Sequence, residues 1–123
     1  MSIFQKLIGA GIAYIITICM GIFLSRIGKP YNTALFNVHK LVALAAVILT
    51  VLMFKDILKT IKPEIYIIIL IIVAVIAIIV IFATGAFLSI GNTPYILIKT
   101  IHIVSQFIFI ISVALSVYLI LKK

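Results

Sequence analysis

Acidic residues are nearly absent from this chain of 123 residues, which contains two of them against ten lysines and arginines and two histidines. The two carboxylates belong to Asp56 and Glu64, near the middle of the chain. A proton pathway through a membrane usually includes carboxylates, and an independent enzyme usually needs an acid and a base side by side. The composition therefore favours neither activity.

Cysteine is equally scarce, since Cys19 is the only one in the sequence. A single thiol excludes an internal disulfide and does not reveal the redox compartment. Its flanking residues, TICM, lack the small residue expected before a lipidated cysteine, so we interpret Cys19 as a packing residue. Two histidines without cysteine or acidic neighbours also leave the usual four-ligand shell of zinc incomplete, so zinc binding is not expected.

Apolar residues, by contrast, make up 67% of the sequence and form four long stretches. A helix needs about 20 mainly apolar residues to cross the hydrocarbon core of a bilayer. Because lipid offers the backbone no hydrogen-bond partner, spanning segments without the alternation of a barrel must be helices. Short connections then predict an all-α transmembrane up-down-up-down four-helix bundle, built from two repeated hairpins. We expect one integral membrane domain, residues 1–123, with helices over about 7–25, 33–58, 63–89 and 94–121.

Several residues suit the expected helix starts. Asn32 or Thr33 is expected to cap the second helix, and Thr93 the fourth. Glu64 is well placed for the dipole of the third helix. Pro63 and Pro94 suit the first helical turn.

Basic residues in the short loops predict the orientation in the membrane. The loops on one side carry Arg26 and Lys29. The side with both termini carries six lysines, namely Lys6, Lys55, Lys59, Lys62, Lys122 and Lys123. Both termini are therefore expected in the cytoplasm. The membrane is expected to be a prokaryotic cytoplasmic membrane. The formal charge of +8 then reflects this topology and attraction to anionic lipid, and no nucleic-acid partner is expected.

The two halves of the chain repeat a segment: GIFLSRIGKPYNTALFNVH at residues 21–39 is followed by GAFLSIGNTPYILIKTIH at residues 85–102. An offset of 64 pairs Gly21 with Gly85, whereas the closing histidines follow at an offset of 63. Duplication of a helical hairpin is the simplest explanation. Because both copies start on the same side, equivalent residues would share a depth in the membrane.

Those histidines, His39 and His102, fall inside the second and fourth predicted helices, in the outer half of the bilayer. Ionisable residues within membrane helices are rare and usually face the interior of the bundle with a partner. Two imidazoles at matching depth favour one b-type haem, with His39 and His102 as ligands of the metal. Proton transfer and ordinary hydrogen bonding within the bundle are the alternatives.

Gly21 and Gly85 lie at a depth comparable with the histidines, on the first and third helices. The absence of a side chain would let an edge of the porphyrin approach the backbone, so both glycines are candidate haem-binding residues. Close packing of two helices is the alternative role.

Basic residues near the outer surface are candidate partners of the haem propionates. Lys99 is the strongest candidate, because it lies one turn outward of His102 on the same helical face. Arg26 is another, with a solvated loop in contact with lipid as its alternative. Lys40 follows His39 directly but points about 100° away from it, so it could instead reach the interface by snorkelling.

On these residues the chain resembles the four-helix membrane b-type cytochromes, a class that includes cytochrome b561-like and ferric-reductase-like proteins. The resemblance rests on the helix starts FNVHKLVAL and IKTIHIVSQF, on Gly21 and Gly85, and on four spans covering nearly the whole chain. It implies electron transfer between a quinol or a partner subunit and an acceptor outside the cytoplasmic membrane. Members commonly bind two haems with four histidines, whereas the two histidines here allow one haem b.

A cofactor-free structural or assembly subunit of a membrane complex is the main alternative, because a hydrophobic bundle needs no haem to be stable. A haem-bearing subunit of a larger respiratory or reductase complex fits the sequence as well. A small multidrug-type transporter would also have four spans, but residues 7–24 lack the carboxylate that those families place in the first helix.

Overall fold

A computed structural model describes residues 1–91 and 94–123, which are almost entirely helical and contain no strand. The helices of this described part are α1 (Ile3–Ile27), α2 (Thr33–Thr60), α3 (Ile65–Ile90) and α4 (Tyr95–Leu121). Each of them is long and apolar enough to span a membrane. The predicted all-α class with four membrane-spanning helices is confirmed.

Capping side chains determine where the first two helices begin. The Ser2 side chain accepts a hydrogen bond from the backbone N–H of Gln5 at 3.1 Å, and Gln5 Oε1 accepts one from the N–H of Ser2 at 2.9 Å. This capping box satisfies two backbone donors, so α1 starts earlier than the hydrophobic pattern indicates. Asn32 caps α2, as predicted, by accepting from the N–H of Leu35 at 3.1 Å.

Among the described residues, the N-cap residues of α3 and α4, Glu64 and Pro94, form no side-chain capping hydrogen bond. Glu64 is the N-cap residue of α3 and places its negative charge near the positive end of the helix dipole. Pro94 directly precedes α4. Thr93, the predicted cap of α4, lies outside the described residues.

The chain divides into two compact units, hairpin one (residues 1–62, with α1 and α2) and hairpin two (residues 63–123, with α3 and α4). In hairpin one, Gly9 faces Leu49 and Gly21 faces His39, so the two helices are antiparallel. In hairpin two, Glu64 at the start of α3 pairs with Lys123 beyond the end of α4, which gives the same arrangement.

Small and hydroxylated side chains line the contact between the helices of hairpin one. Ala10 and Ala46 are buried and allow the two backbones to approach. The hydroxyl of Thr50 donates to the carbonyl oxygen of Ala46 at 2.9 Å, so the Tyr14 hydroxyl, 3.1 Å away on α1, donates to Thr50. Lipid supplies no partners for such groups, which accounts for their pairing inside the hairpin.

Hairpin two is packed in the same way. Ala74 and Ala77 of α3 are buried, as are Ser112 and Ser116 of α4. The Ser116 hydroxyl donates to the carbonyl oxygen of Ser112 at 2.7 Å, which satisfies a polar group that has no access to solvent. Large apolar side chains, in contrast, are widely exposed on the helices of both hairpins. Such surfaces suit contact with acyl chains, as expected of an integral membrane protein.

Both acidic residues of the chain form ion pairs inside their own hairpins. Lys6 of α1 pairs with Asp56 of α2, and Lys123 pairs with Glu64 at the start of α3. Each pair lies at the end of its hairpin opposite the short connection between the two helices. Lys6 and Asp56 are partly buried, whereas Lys123 and Glu64 are exposed, and an exposed ion pair contributes little to stability.

The ion pair of Glu64 predicts a small pH-dependent contribution to stability. Hydrogen bonds from Lys123 and, to a lesser extent, from Tyr66 lower the pKa of the Glu64 carboxyl. A carboxylate with a lowered pKa stabilises the folded state above its unfolded pKa, here about 4.3, and this stabilisation is lost as the pH falls through the folded pKa. We expect Lys123→Gln to lower the unfolding temperature slightly at neutral pH and to have no effect in strong acid. Circular dichroism of the helices in detergent measures the unfolding temperatures of wild type and variant at both pH values. If the two proteins differ as much in acid as at neutral pH, the expectation is wrong.

Candidate functional site

His39 of α2 lies against Gly21 of α1. Its ring nitrogen Nδ1 is 3.1 Å from the carbonyl oxygen of Thr17, and because a carbonyl only accepts, Nδ1 is the donor. A Cβ atom added to Gly21 would lie 3.2 Å from Cε1 of the imidazole, closer than an ordinary van der Waals contact. The missing side chain of Gly21 therefore makes room for the ring of His39.

The same arrangement occurs in hairpin two. Nδ1 of His102 on α4 is 3.0 Å from the carbonyl oxygen of Ile81 on α3, and it donates to this oxygen. A Cβ atom added to Gly85 would lie 3.4 Å from Cε1 of His102. Thr17 and Ile81 are related by the same offset of 64 that relates Gly21 to Gly85. The sequence repeat is thus also a structural repeat.

The glycine explains why a helix carbonyl is available to the imidazole. In both hairpins the accepting carbonyl belongs to the residue four positions before the glycine, so it already receives the N–H of that glycine. A carbonyl oxygen can accept a second hydrogen bond. Side chains on a helix lean towards its N-terminus and would cover this carbonyl, but glycine leaves it uncovered. We call this unit of histidine ring, glycine and carbonyl the His–Gly contact.

The His–Gly contact determines which ring nitrogen can bind a metal. In a neutral imidazole one nitrogen carries the hydrogen and the other keeps a lone pair. Because Nδ1 donates in both hairpins, Nε2 is the nitrogen with the lone pair in His39 and in His102. Histidines that bind metals usually donate their other N–H to a carbonyl or a carboxylate in this way. Both rings are also only half-buried in their hairpins. Each imidazole therefore has the chemistry of a histidine ligand to a metal.

Sequence analysis missed Thr84. Its hydroxyl oxygen lies 2.9 Å from Nδ1 of His102, next to the carbonyl of Ile81. One signal was present, since Thr84 directly precedes the glycine of the repeat. The role of Thr17 was not predicted either. Its backbone carbonyl oxygen is the acceptor, and every residue type has such an oxygen.

The two glycines have a contact that the sequence did not predict. Each of them accommodates the imidazole of its own hairpin. Their expected role beside a porphyrin edge stays a prediction.

The predicted basic residues lie at the end of their hairpins that carries the histidine. Nζ of Lys40 is 4.2 Å from the centre of the Phe36 ring, one turn nearer the start of α2. Nζ of Lys99 is 5.6 Å from the centre of the Tyr95 ring, near the start of α4. Arg26 is exposed in the last turn of α1. Their binding of propionates stays a prediction.

In residues 1–91 and 94–123, no three side chains of histidine, cysteine, aspartate or glutamate come together as a metal site. Comparison of the chain with known protein families, with curated proteins and with solved structures finds no match. The chemistry of the two His–Gly contacts is therefore the basis for assigning a function.

Proposed function

We propose that the protein is a membrane electron carrier in which His39 and His102 would each supply a nitrogen ligand to one b-type haem. The observation that supports this proposal is the His–Gly contact, which occurs twice and leaves Nε2 of each imidazole as the nitrogen with a lone pair. Each hairpin contributes one such imidazole, so a haem with two histidine ligands takes one from each. When bound, haem supplies a reversible one-electron centre at its iron.

The chain itself binds and orients the ligands. Hydrogen bonds from Nδ1 to the carbonyl oxygens of Thr17 and Ile81 hold the rings in place and raise the basicity of Nε2. Lys99, Arg26 and Lys40 supply positive charge for the propionate carboxylates. The apolar interior of the membrane would keep water away from the ligands, which is one of the factors that set a reduction potential.

The distribution of lysines indicates on which side of the membrane the haem would lie. With both termini in the cytoplasm, the histidines lie nearer the outer surface of a prokaryotic cytoplasmic membrane. Electrons would then pass from a membrane quinol or a partner subunit to an acceptor outside this membrane. A subunit of a larger respiratory or reductase complex would work in the same way.

The optical spectrum of the purified protein tests the proposal. Protein extracted in detergent from haem-sufficient cells should be coloured, and dithionite should produce the sharp bands of a low-spin ferrous b-type haem. A pyridine haemochrome assay should identify haem b at about one per chain, as expected for two axial histidines. A colourless protein that also fails to take up added haemin would contradict the proposal.

A cofactor-free scaffold is the second candidate function. The supporting observation is that the N–H of each imidazole already finds an acceptor within its own hairpin, as an ordinary intramembrane polar group does. For a scaffold, replacing either histidine would change stability and nothing else. The same spectrum therefore separates the two candidates.

A further inference from the structure

We propose that Thr84 is a positioning residue for His102 and makes the two haem ligands chemically unequal, an inference that rests on the proposed function. The imidazole of His102 has two oxygen acceptors near Nδ1, the carbonyl of Ile81 at 3.0 Å and the hydroxyl of Thr84 at 2.9 Å. The equivalent ring in hairpin one donates from Nδ1 to the carbonyl of Thr17.

The direction of the hydrogen bonds at Thr84 follows from its other partners. Its hydroxyl lies 2.7 Å from the carbonyl oxygen of Val80 and 3.1 Å from that of Ile81, and because carbonyls only accept, it donates its only hydrogen to these oxygens. The oxygen lone pairs of Thr84 are then left to accept from Nδ1 of His102. Thr84 is buried, with 6% of its surface exposed, so water does not compete for this N–H. The N–H of His102 is therefore shared between two acceptors.

Hairpin one lacks this second acceptor in the part of the chain that the structure describes. The position equivalent to Thr84, at the offset of 64, is Met20, whose thioether is only a weak acceptor. Thr17 is also close to His39, but its hydroxyl donates to the carbonyl oxygen of Ala13 at 2.7 Å. Of the two oxygens of Thr17, only the backbone carbonyl oxygen accepts a hydrogen bond from the imidazole of His39.

A second acceptor changes the imidazole as a ligand. It holds the proton of Nδ1 more firmly, fixes the rotation of the ring and increases electron density at Nε2. A more basic axial nitrogen stabilises ferric iron relative to ferrous iron, and this lowers the reduction potential. Thr84 would thus lower the reduction potential of the haem by acting on His102. No described residue of hairpin one acts on His39 in this way.

The test compares Thr84→Val with Thr50→Val. Both changes remove a buried hydroxyl that donates to the carbonyl oxygen four residues earlier, and both keep the shape of the side chain, but only the first removes an acceptor from Nδ1 of a histidine. In the haem-loaded protein, Thr84→Val should raise the midpoint potential and weaken haem binding about 10-fold, as loss of an outer-shell partner does. Thr50→Val should leave both values close to wild type, and Thr84→Ser should keep them there.

A second readout does not depend on haem. With ¹⁵N-labelled histidine in the haem-free protein, Thr84→Val should shift the Nδ1 signal of His102 and leave that of His39 in place. If the wild type binds haem but Thr84→Val matches Thr50→Val in potential, affinity and Nδ1 signal, the inference is wrong and the proposed function stands. If the wild type takes up no haem, the proposed function fails, and the Nδ1 signal alone decides whether Thr84 positions the imidazole.

Discussion

Replacing either His39 or His102 with alanine is expected to abolish the low-spin haem spectrum. Each hairpin contains a single imidazole, and the sequence has no third histidine to replace the one removed. Loss of one ligand nitrogen would leave the iron with an open position, which would change its spin state and weaken its binding. Spectra of the oxidised and reduced variants, together with the haem content per chain, measure the effect.

Matched controls separate ligation from general damage to the helices. Asn37→Ala on α2 and Thr100→Ala on α4 each change an exposed polar residue two positions from a histidine, and both should keep the wild-type spectrum. Free imidazole added to the histidine variants should restore part of the low-spin signal by filling the vacated ligand position. If either histidine variant keeps a wild-type spectrum, that residue is not a ligand.

A bulky residue in place of Gly21 is expected to have the next largest effect. In Gly21→Leu the new side chain would occupy the space of the His39 ring and cover the carbonyl of Thr17. Overpacking of this kind costs roughly 1–3 kcal/mol, and the displaced imidazole would lose its acceptor. We expect a lower unfolding temperature in detergent and loss of most of the bound haem.

Gly11 offers a matched control on the same helix. A Cβ atom added to Gly11 has no neighbour within 4 Å, so Gly11→Leu should leave both stability and haem content close to wild type. Gly85→Leu should reproduce the effect of Gly21→Leu, because it faces His102 in the same way. A Gly21→Leu protein that binds haem as well as the wild type would show that the His–Gly contact is not required.

The sequence was sufficient to predict the helices and the repeat. Apolar stretches long enough to cross a bilayer identify spanning helices with little ambiguity, because few other structures satisfy the backbone in lipid. The amide of Asn32 marked the start of α2, since its short side chain can reach the backbone N–H of Leu35. The offset between Gly21 and Gly85 also led to the prediction that both histidines share a depth in the membrane.

The contacts themselves could not be predicted. Successive side chains on a helix point about 100° apart. If a predicted helix end is wrong by one or two residues, the predicted register between two helices is wrong as well, and so is each predicted contact between their side chains. Lys6 and Asp56 are far apart in the sequence, and only the register of α1 on α2 brings them together. The acceptor in each His–Gly contact is a backbone oxygen, and any residue type could supply it.

The internal pairing of hairpin one has a consequence for biosynthesis. Its contacts, from the ion pair of Lys6 with Asp56 to the hydrogen bond of His39 with Thr17, join residues that the ribosome has added before it reaches Pro63. The first two helices can therefore leave the translocon as a pair whose intramembrane polar groups already have partners. Haem incorporation, in contrast, would have to wait until the nascent chain has extended beyond His102.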